Sequence, residues 1–389
     1  MKFAIKRKVL LEGLEIVKDS VGKQTSLPIL KNVKLKAQGE ALELFTTNLS
    51  IGTMVLLKDL TIAEEGEALC DALKLMAIVK ELPENDLRIE IEEKGHLRVK
   101  CEKSHFKLLT MPPEEFPCLP EVPEKEFFPL GERFFQYLSK VRYAASKDDL
   151  RHSLNGVFMG ADVVATDGQR MAVLRRNLGF NDVLVPLEFI SLILKLKNRE
   201  NGNTFQAGCS NNIIIIRSEG LSLFSRLIDA EFPDYSKAIP DNHSRYALMQ
   251  RKDLMQALKR IMLMSGKDYS VRFEFNPSSL FLSSFNPNLG DASEEMEIEY
   301  QSERDKTSFI IGLNGKFLLD MLEVLDEERV KLQMISDESP LMIEEHDCLH
   351  VLMPIQLLNI ESEAQSETNF ELDSDPEPEP EFVEEEEAA

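Results

Sequence analysis

No apolar stretch in this chain reaches membrane-spanning length, and the opening Met1-Lys2-Phe3-Ala4-Ile5-Lys6-Arg7 is too short and too charged for an export signal. Cysteine is scarce. The five thiols, Cys70, Cys101, Cys118, Cys209 and Cys348, are odd in number and far apart, which suits a reducing cytosol better than a disulfide framework. A cytoplasmic protein is expected. The chain also lacks a Gly-rich phosphate loop, a nucleophile elbow and any cysteine pair at zinc spacing. His346-Asp347-Cys348-Leu349-His350 is the nearest metal candidate, because its two histidines and cysteine would share one face of a strand; lying beside apolar residues, it reads more simply as an edge strand. Asp148 and Asp149 belong to a solvated turn. No catalytic residue, metal or cofactor is expected.

What is present is repetition. A helix-spaced apolar register, Leu10, Leu14, Val17 and Val21, returns as Phe134, Leu138, Val141 and Ala145, and again as Leu254, Leu258, Ile261 and Ser265. Each copy follows a short extended run: Phe3 to Ile5, Phe127 to Leu130, Tyr246 to Met249. A second helix recurs as Leu75, Val79, Leu82, then Ile190, Leu194, Lys197, then Leu318, Leu322, Leu325. Strand text repeats too, Leu44-Phe45-Thr46-Thr47-Asn48 against Val164-Ala165-Thr166-Asp167 and Leu282-Ser283-Ser284-Phe285-Asn286. A period of roughly 120 residues is too long for a solenoid, so each copy should be a domain with its own core. The expected fold is α+β: three tandem similar domains, each with two helices packed on antiparallel sheets. Proline and acidic clusters mark the crossings, which gives domains at 1–122, 123–245 and 246–357, followed by a disordered acidic tail at 358–389.

Charge is unevenly spread. From Glu361 to Ala389 there are 13 acidic residues and no basic one, and without them the net charge moves from -23 to -10. The helices run against this trend. The first helix of each module is net positive, +2 over Lys6 to Lys23 and +3 over both Glu132 to Lys147 and Arg251 to Asp268. The second helices sum to 0, +2 and, over Gly315 to Glu328, -4. Facing one way, they would make a mildly positive surface on an acidic body, suited to phosphate; the plainer reading is solvated helix faces.

Five blocks in order carry a resemblance: Thr25-Ser26-Leu27-Pro28-Ile29-Leu30, Arg151-His152-Ser153-Leu154-Asn155-Gly156, Ala165-Thr166-Asp167-Gly168-Gln169-Arg170-Met171-Ala172-Val173, Phe232-Pro233-Asp234-Tyr235, and Val351-Leu352-Met353-Pro354-Ile355-Gln356-Leu357. Over residues 1 to 357 the chain resembles the bacterial DNA polymerase III beta subunit family, the sliding clamps. That resemblance implies a head-to-tail homodimeric ring that encircles duplex DNA without sequence specificity, stays with the nucleoid, and tethers the replicative polymerase, clamp loader and repair proteins through short peptides. It implies DNA-facing side chains at Lys23, Lys74, Lys80, Lys140, Arg142, Lys147, Lys195, Lys197, Arg199 and Lys267. It implies a dimer interface with Phe106 and Leu108 on one side and Leu263 and Met264 on the other, although Phe106 and Leu108 also alternate as any half-buried strand would.

The implied partner-peptide pocket comprises Leu154, Thr166, Gly168, Arg170, Met171, Pro233, Lys237, Ala238, Val351, Met353, Pro354, Ile355 and Leu357. Gln169 stands where the family often has histidine, and Ala238 is smaller than the usual apolar residue, so peptide preference should differ. The tail begins directly after Leu357, and Gln365-Ser366-Glu367-Thr368-Asn369-Phe370 loosely resembles a clamp-binding peptide that could cover the pocket; a plain solvating tail is the simpler expectation. An enzyme of nucleic-acid metabolism and a non-DNA scaffold remain as other function classes.

Overall fold

A computed structural model of the chain describes residues 1–22, 25–92, 95–148, 150–195, 204–303 and 308–357. Lys23, Lys197, Arg199, Asp149 and the tail from 358 onward lie outside the described residues. Each module opens on a strand and a helix, continues through a three-strand meander and one or two further strands to a second helix, and closes on another three-strand meander. In the first module these are β1 (Lys2–Lys6), α1 (Arg7–Val17), β2 (Asn32–Gln38), β3 (Ala41–Thr47), β4 (Ile51–Leu57), β5 (Leu60–Glu64), β6 (Gly66–Asp71), α2 (Ala72–Glu81), β7 (Asp86–Glu92), β8 (His96–Cys101) and β9 (Ser104–Met111). The second has β10 (Phe127–Pro129), α3 (Phe134–Val141), β11 (Gly156–Met159), β12 (Val163–Thr166), β13 (Arg170–Leu174), β14 (Val183–Pro186), α4 (Leu187–Leu194), β15 (Gln206–Ser210), β16 (Ile213–Ser218) and β17 (Leu221–Arg226). The third has β18 (Arg245–Gln250), α5 (Arg251–Ile261), β19 (Ser270–Phe275), β20 (Ser279–Asn286), β21 (Gly290–Glu297), β22 (Glu299–Ser302), β23 (Phe309–Asn314), α6 (Gly315–Val324), β24 (Arg329–Met334), β25 (Leu341–Glu345) and β26 (Cys348–Leu352).

The helical registers bury as their spacing requires. Leu10, Leu14 and Val17 of α1 are fully buried, each contributing about 1.5–3 kcal/mol relative to exposure. The fourth position of each register departs from the sequence reading. α1, α3 and α5 tighten into a 3-10 turn after Val17, Val141 and Ile261, so Val21, Ala145 and Ser265 follow that turn in extended backbone while still pointing inward. α6 also ends earlier than expected. Asp326, Glu327 and Glu328 lie beyond it, which leaves Lys316 against Asp320 and Glu323 on the helix itself and removes most of its apparent acidity.

Local chemistry fixes the second helices. The Asp71 carboxylate accepts the Lys74 N–H at 2.7 Å and caps the start of α2, as Asn314 caps α6 through the Phe317 N–H. Arg7 on α1 donates to the carbonyls of Val79 and Lys80, satisfying the end of α2 and locking the helix pair together. No helix among the described residues is long and apolar enough to cross a membrane.

Candidate nucleic-acid interface and partner groove

The modules are joined through their sheets. The last strand of the first meander in one module pairs antiparallel with the closing strand of the next: β4 with β17, then β13 with β26. Gly52 shows how close the first joint is, because a Cβ there would stand 2.0 Å from the Phe224 ring directly opposite. Helices lie along one face of these joints. The turn that ends α1 meets the end of α4 at the first, where Asp19 and Lys195 pair at 2.6 Å, and α3 meets the segment just after α6 at the second, where Gln136 and Lys140 reach Asp326. With the pairs α1–α2, α3–α4 and α5–α6 inside modules, the six described helices form one row in the order α2, α1, α4, α3, α6, α5.

Along that row Lys74, Lys80, Arg142, Lys147 and Lys267 are exposed and make no ion pair among the described residues, so they are available to phosphate. Lys195 is exposed but already paired with Asp19. Lys140 is a correction to the sequence reading. Rather than facing DNA it is buried in the second joint, 2.6 Å from Glu345 and 2.8 Å from Asp326. Glu345 is buried as well, and its second oxygen accepts the backbone N–H groups of Asp326 and Glu327. Burial pushes the Glu345 carboxyl up, but the Lys140 ammonium and the two N–H groups hold it below the ordinary range.

The same joint holds His350, whose Nδ1 bonds the Tyr143 hydroxyl at 2.8 Å while Nε2 has no hydrogen-bond partner among the described residues. Burial pushes its pKa down to about 4, against the upward pull of Glu345. A histidine whose folded pKa lies below its unfolded value of 6.5 contributes fully above that pH and loses its contribution as pH falls toward about 4. Glu345, also depressed, loses its contribution in the same direction. We expect the joint to weaken by about 3 kcal/mol between neutral pH and pH 4, read as a falling urea midpoint. A His350→Gln chain should show a flatter profile, and an unchanged slope in that variant would refute the assignment.

On the opposite face of β13 and β26 lies an apolar floor of Val164, Met171, Val173, Met342, Leu349 and Val351. Phe158, Phe232, Tyr235 and Ile239 pack over it, the last three from the linker between modules. Thr166 accepts the Gly168 N–H and donates to the Arg170 carbonyl, shaping the turn that carries Gly168 at φ 88°. Met353 is exposed and bonds the Gln169 carbonyl at 2.8 Å, which continues the contact beyond β26. Ile355 then donates to the Gly312 carbonyl on β23, and Leu357 lies over the same glycine, where a Cβ would stand 2.5 Å from the Ile355 oxygen.

Thr166, Gly168, Met171, Val351 and Met353 therefore converge at one crossing. Half-buried Leu154 ends a turn that starts at Arg151, whose guanidinium holds the Asp167 carbonyl. Pro233, Lys237 and Ala238 are exposed on the linker, with Lys237 paired to Asp234, while Pro354, Ile355 and Leu357 are half-buried on the third module. Arg170 departs from the expectation of a pocket lining. It is buried beneath the floor, bonded to Asp167 and Asp320 and stacked 4.2 Å over Phe317, so it supports the groove from below. The residues that sequence reading missed are this support: Tyr143, Phe317, Asp320, Glu345 and His350. Their partners are distant in the chain, so no local signal marks them.

Two of the sheet edges belong to equivalents of the strands that pair at the internal joints: β21 ends its sheet, and β9 from Ser104 to Leu109 has β8 on one side and, among the described residues, no strand on the other. On the helix side of those edges lie exposed Phe106 and the turn carrying Leu263, which is 77% exposed, and Met264. Leu108 differs from the expectation, being already buried in the first module's own core, whereas its neighbour Leu109 is exposed on the outer face. The motif at 346–350 does not converge either. His346 sits in the exposed hairpin turn, Cys348 and His350 are buried inward, and the Glu345 oxygens near His346 are taken by Lys140 and the two backbone N–H groups.

Comparison with known proteins agrees with this architecture. Family models of the DNA polymerase III beta subunit match in register: the N-terminal domain over residues 1–120, the central domain over 131–234 and the C-terminal domain over 236–356. The beta sliding clamp of Pseudomonas aeruginosa is 30% identical over 375 residues, covering 92% of this chain and 100% of the relative. The crystal structure of that organism's DNA polymerase III subunit beta superposes with a TM-score of 0.83 at 29% identity over 92% of this chain and all of that one. A second structure of the Pseudomonas aeruginosa clamp, bound to griselimycin, matches with the same TM-score, identity and coverage.

Proposed function

Because the chain belongs to the DNA polymerase III beta subunit family of sliding clamps, we propose that two copies close head to tail into a ring around duplex DNA. The chain is a non-catalytic processivity subunit, tethering polymerase and other replication and repair proteins to the DNA. One observation carries the ring. β4, β13 and β21 hold the same place in their modules, as do β9, β17 and β26, and two of the three possible pairings are made inside the chain. The strands left over are β21 and β9, so a second copy supplies each with the partner its equivalents already have. Lys107 on β9 then meets Asp291, Glu295 and Glu297 on β21 with opposite charge.

Continued through both copies, the helix row lines the hole. Lys74, Lys80, Arg142, Lys147 and Lys267 give a sparse cationic lining that holds phosphates without reading bases. Few strong contacts allow sliding. We take the modules as residues 1–122, 123–245 and 246–357. The groove over Met171 and Val351 is the docking place for short partner peptides, with methionine adapting to several of them; the griselimycin bound by the Pseudomonas relative supports a ligand site in this family. Retention on DNA tests the whole reading. The protein should remain on closed circular duplex through a salt wash and be lost once the circle is cut; equal loss from both forms would reject encirclement.

A further inference from the structure

Resting on that ring, we propose that the acidic tail, residues 358–389, crosses the joint between protomers and docks on a cationic sheet face of the partner's first module, acting as an electrostatic latch. The motivating pattern is again the repeat. After β9, the first linker runs onto the outer face of the second module, where Phe116 packs with Ile215 and Phe224. After β17, the second linker runs onto the outer face of the third, where Phe232, Tyr235 and Ile239 cover Met342, Leu349 and Val351. The chain after β26 occupies the third such position. Its equivalent target is the outer face of β8 and β9 in the partner's first module.

That face differs from the other two in its chemistry, and so does the segment that would cover it. The alternation that buries Leu97, Val99 and Leu108 turns Arg98, Lys100, His105, Lys107 and Leu109 outward, with Arg88 on β7 and Lys2 on β1 beside them. Glu90 and Glu92, 23% and 20% exposed, pair with Arg98 and Lys100 at 29% and 32% and with Lys2 and Lys107 at 53% and 57%, so the cations are the more exposed partners and Lys2 and Lys107 clearly so. Lys6 opposite Asp86 and Lys2 opposite Glu64 balance the margin, while Arg88 has no ion pair among the described residues. With Lys107 turned to the β21 carboxylates at the joint, Lys2, Arg88, Arg98 and Lys100 still outnumber Glu90 and Glu92, which leaves this face cationic on a chain of net charge -23. Against it stand the tail's 13 carboxylates and no basic group. Apolar linkers cover apolar faces at two joints; an acidic segment matches the basic face at the third.

Reach is sufficient. Leu357 is seated over Gly312 on β23, and the sheet continued across the joint runs β23, β19, β20, β21, then the partner's β9 and β8. Five strand steps of ~4.8 Å make about 24 Å, which about eight extended residues span. The tail is several times longer than that. Docked this way each tail adds a second tether at one of the two joints that no peptide bond closes, raising the effective concentration of the two edges.

The test uses the full chain with a photo-crosslinking residue in place of Phe370, assembled from equal amounts of isotopically heavy and light protein. Expected are heavy–light crosslinks to peptides containing Arg88, Lys100 or Lys107, reduced about fivefold or more by an Arg88→Gln/Lys100→Gln pair and by added salt. Crosslinks at Met171, Pro233 or Met353 would instead place the tail in the peptide groove and overturn the latch, as would crosslinks confined within one chain or none at all. Sedimentation of the same samples separates the two claims: a monomer overturns the ring, whereas a dimer with its tail elsewhere overturns only the latch.

Discussion

A Lys140→Met chain is expected to lose about 3–5 kcal/mol at the joint between the second and third modules, because the change strands a buried carboxylate. Lys140 supplies the one ammonium that Glu345 contacts among the described residues, at 2.6 Å. Two backbone N–H groups remain on the other oxygen, but they cannot neutralise the charge. The measurement is hydrogen exchange at the β13 and β26 amides together with the urea midpoint. Pairing the change with Glu345→Met should restore most of the loss, since removing both charges avoids the unpaired group. Had Lys140 faced DNA, as its place on a basic helix suggests, the variant would retain its stability and weaken only DNA retention; that outcome would reject the buried pair.

The second large effect concerns the open joint. Leu263 is exposed in the single chain, so a charge at that position leaves the module's fold intact. In the joint proposed above the same position would meet the Phe106 side of β9 and lose its water. A Leu263→Asp chain should therefore form the dimer at least about 100-fold more weakly, equivalent to roughly 3 kcal/mol of unpaired-charge burial, while its thermal unfolding as a monomer stays unchanged. Sedimentation over a concentration series reads the first quantity and calorimetry the second. An unaltered dimer constant would remove Leu263 from the joint.

Much of this architecture was legible in the sequence because the signals were local and tripled. Helix spacing identified Leu10, Phe134 and Leu254 as equivalent core positions, and all three are buried. Strand alternation placed Phe106 and Leu108 on one face, yet it could not say that this face already covers the module's own core at Leu108. The burial of Lys140 was illegible for a simple reason. Its partner Glu345 is 205 residues away, and nothing in a helix pattern distinguishes a lysine that meets solvent from one that meets a carboxylate across a joint. Arg170 misled in the same way, since the family motif that marks it does not reveal whether it lines the groove or props it from beneath. The extra helix acidity assigned to Gly315–Glu328 came from a boundary, because apolar spacing continues through Leu325 after the helix has ended.

The count of modules has one more consequence. Three per chain means that, of the six seams in a closed circle, four are stitched by covalent backbone and only two rely on surface contact. Dilution or mechanical prying acts on those two alone, so the circle gapes into a crescent or splits into intact halves and never frays into single units. Whatever places it on a chromosome therefore has a predetermined gate to work on.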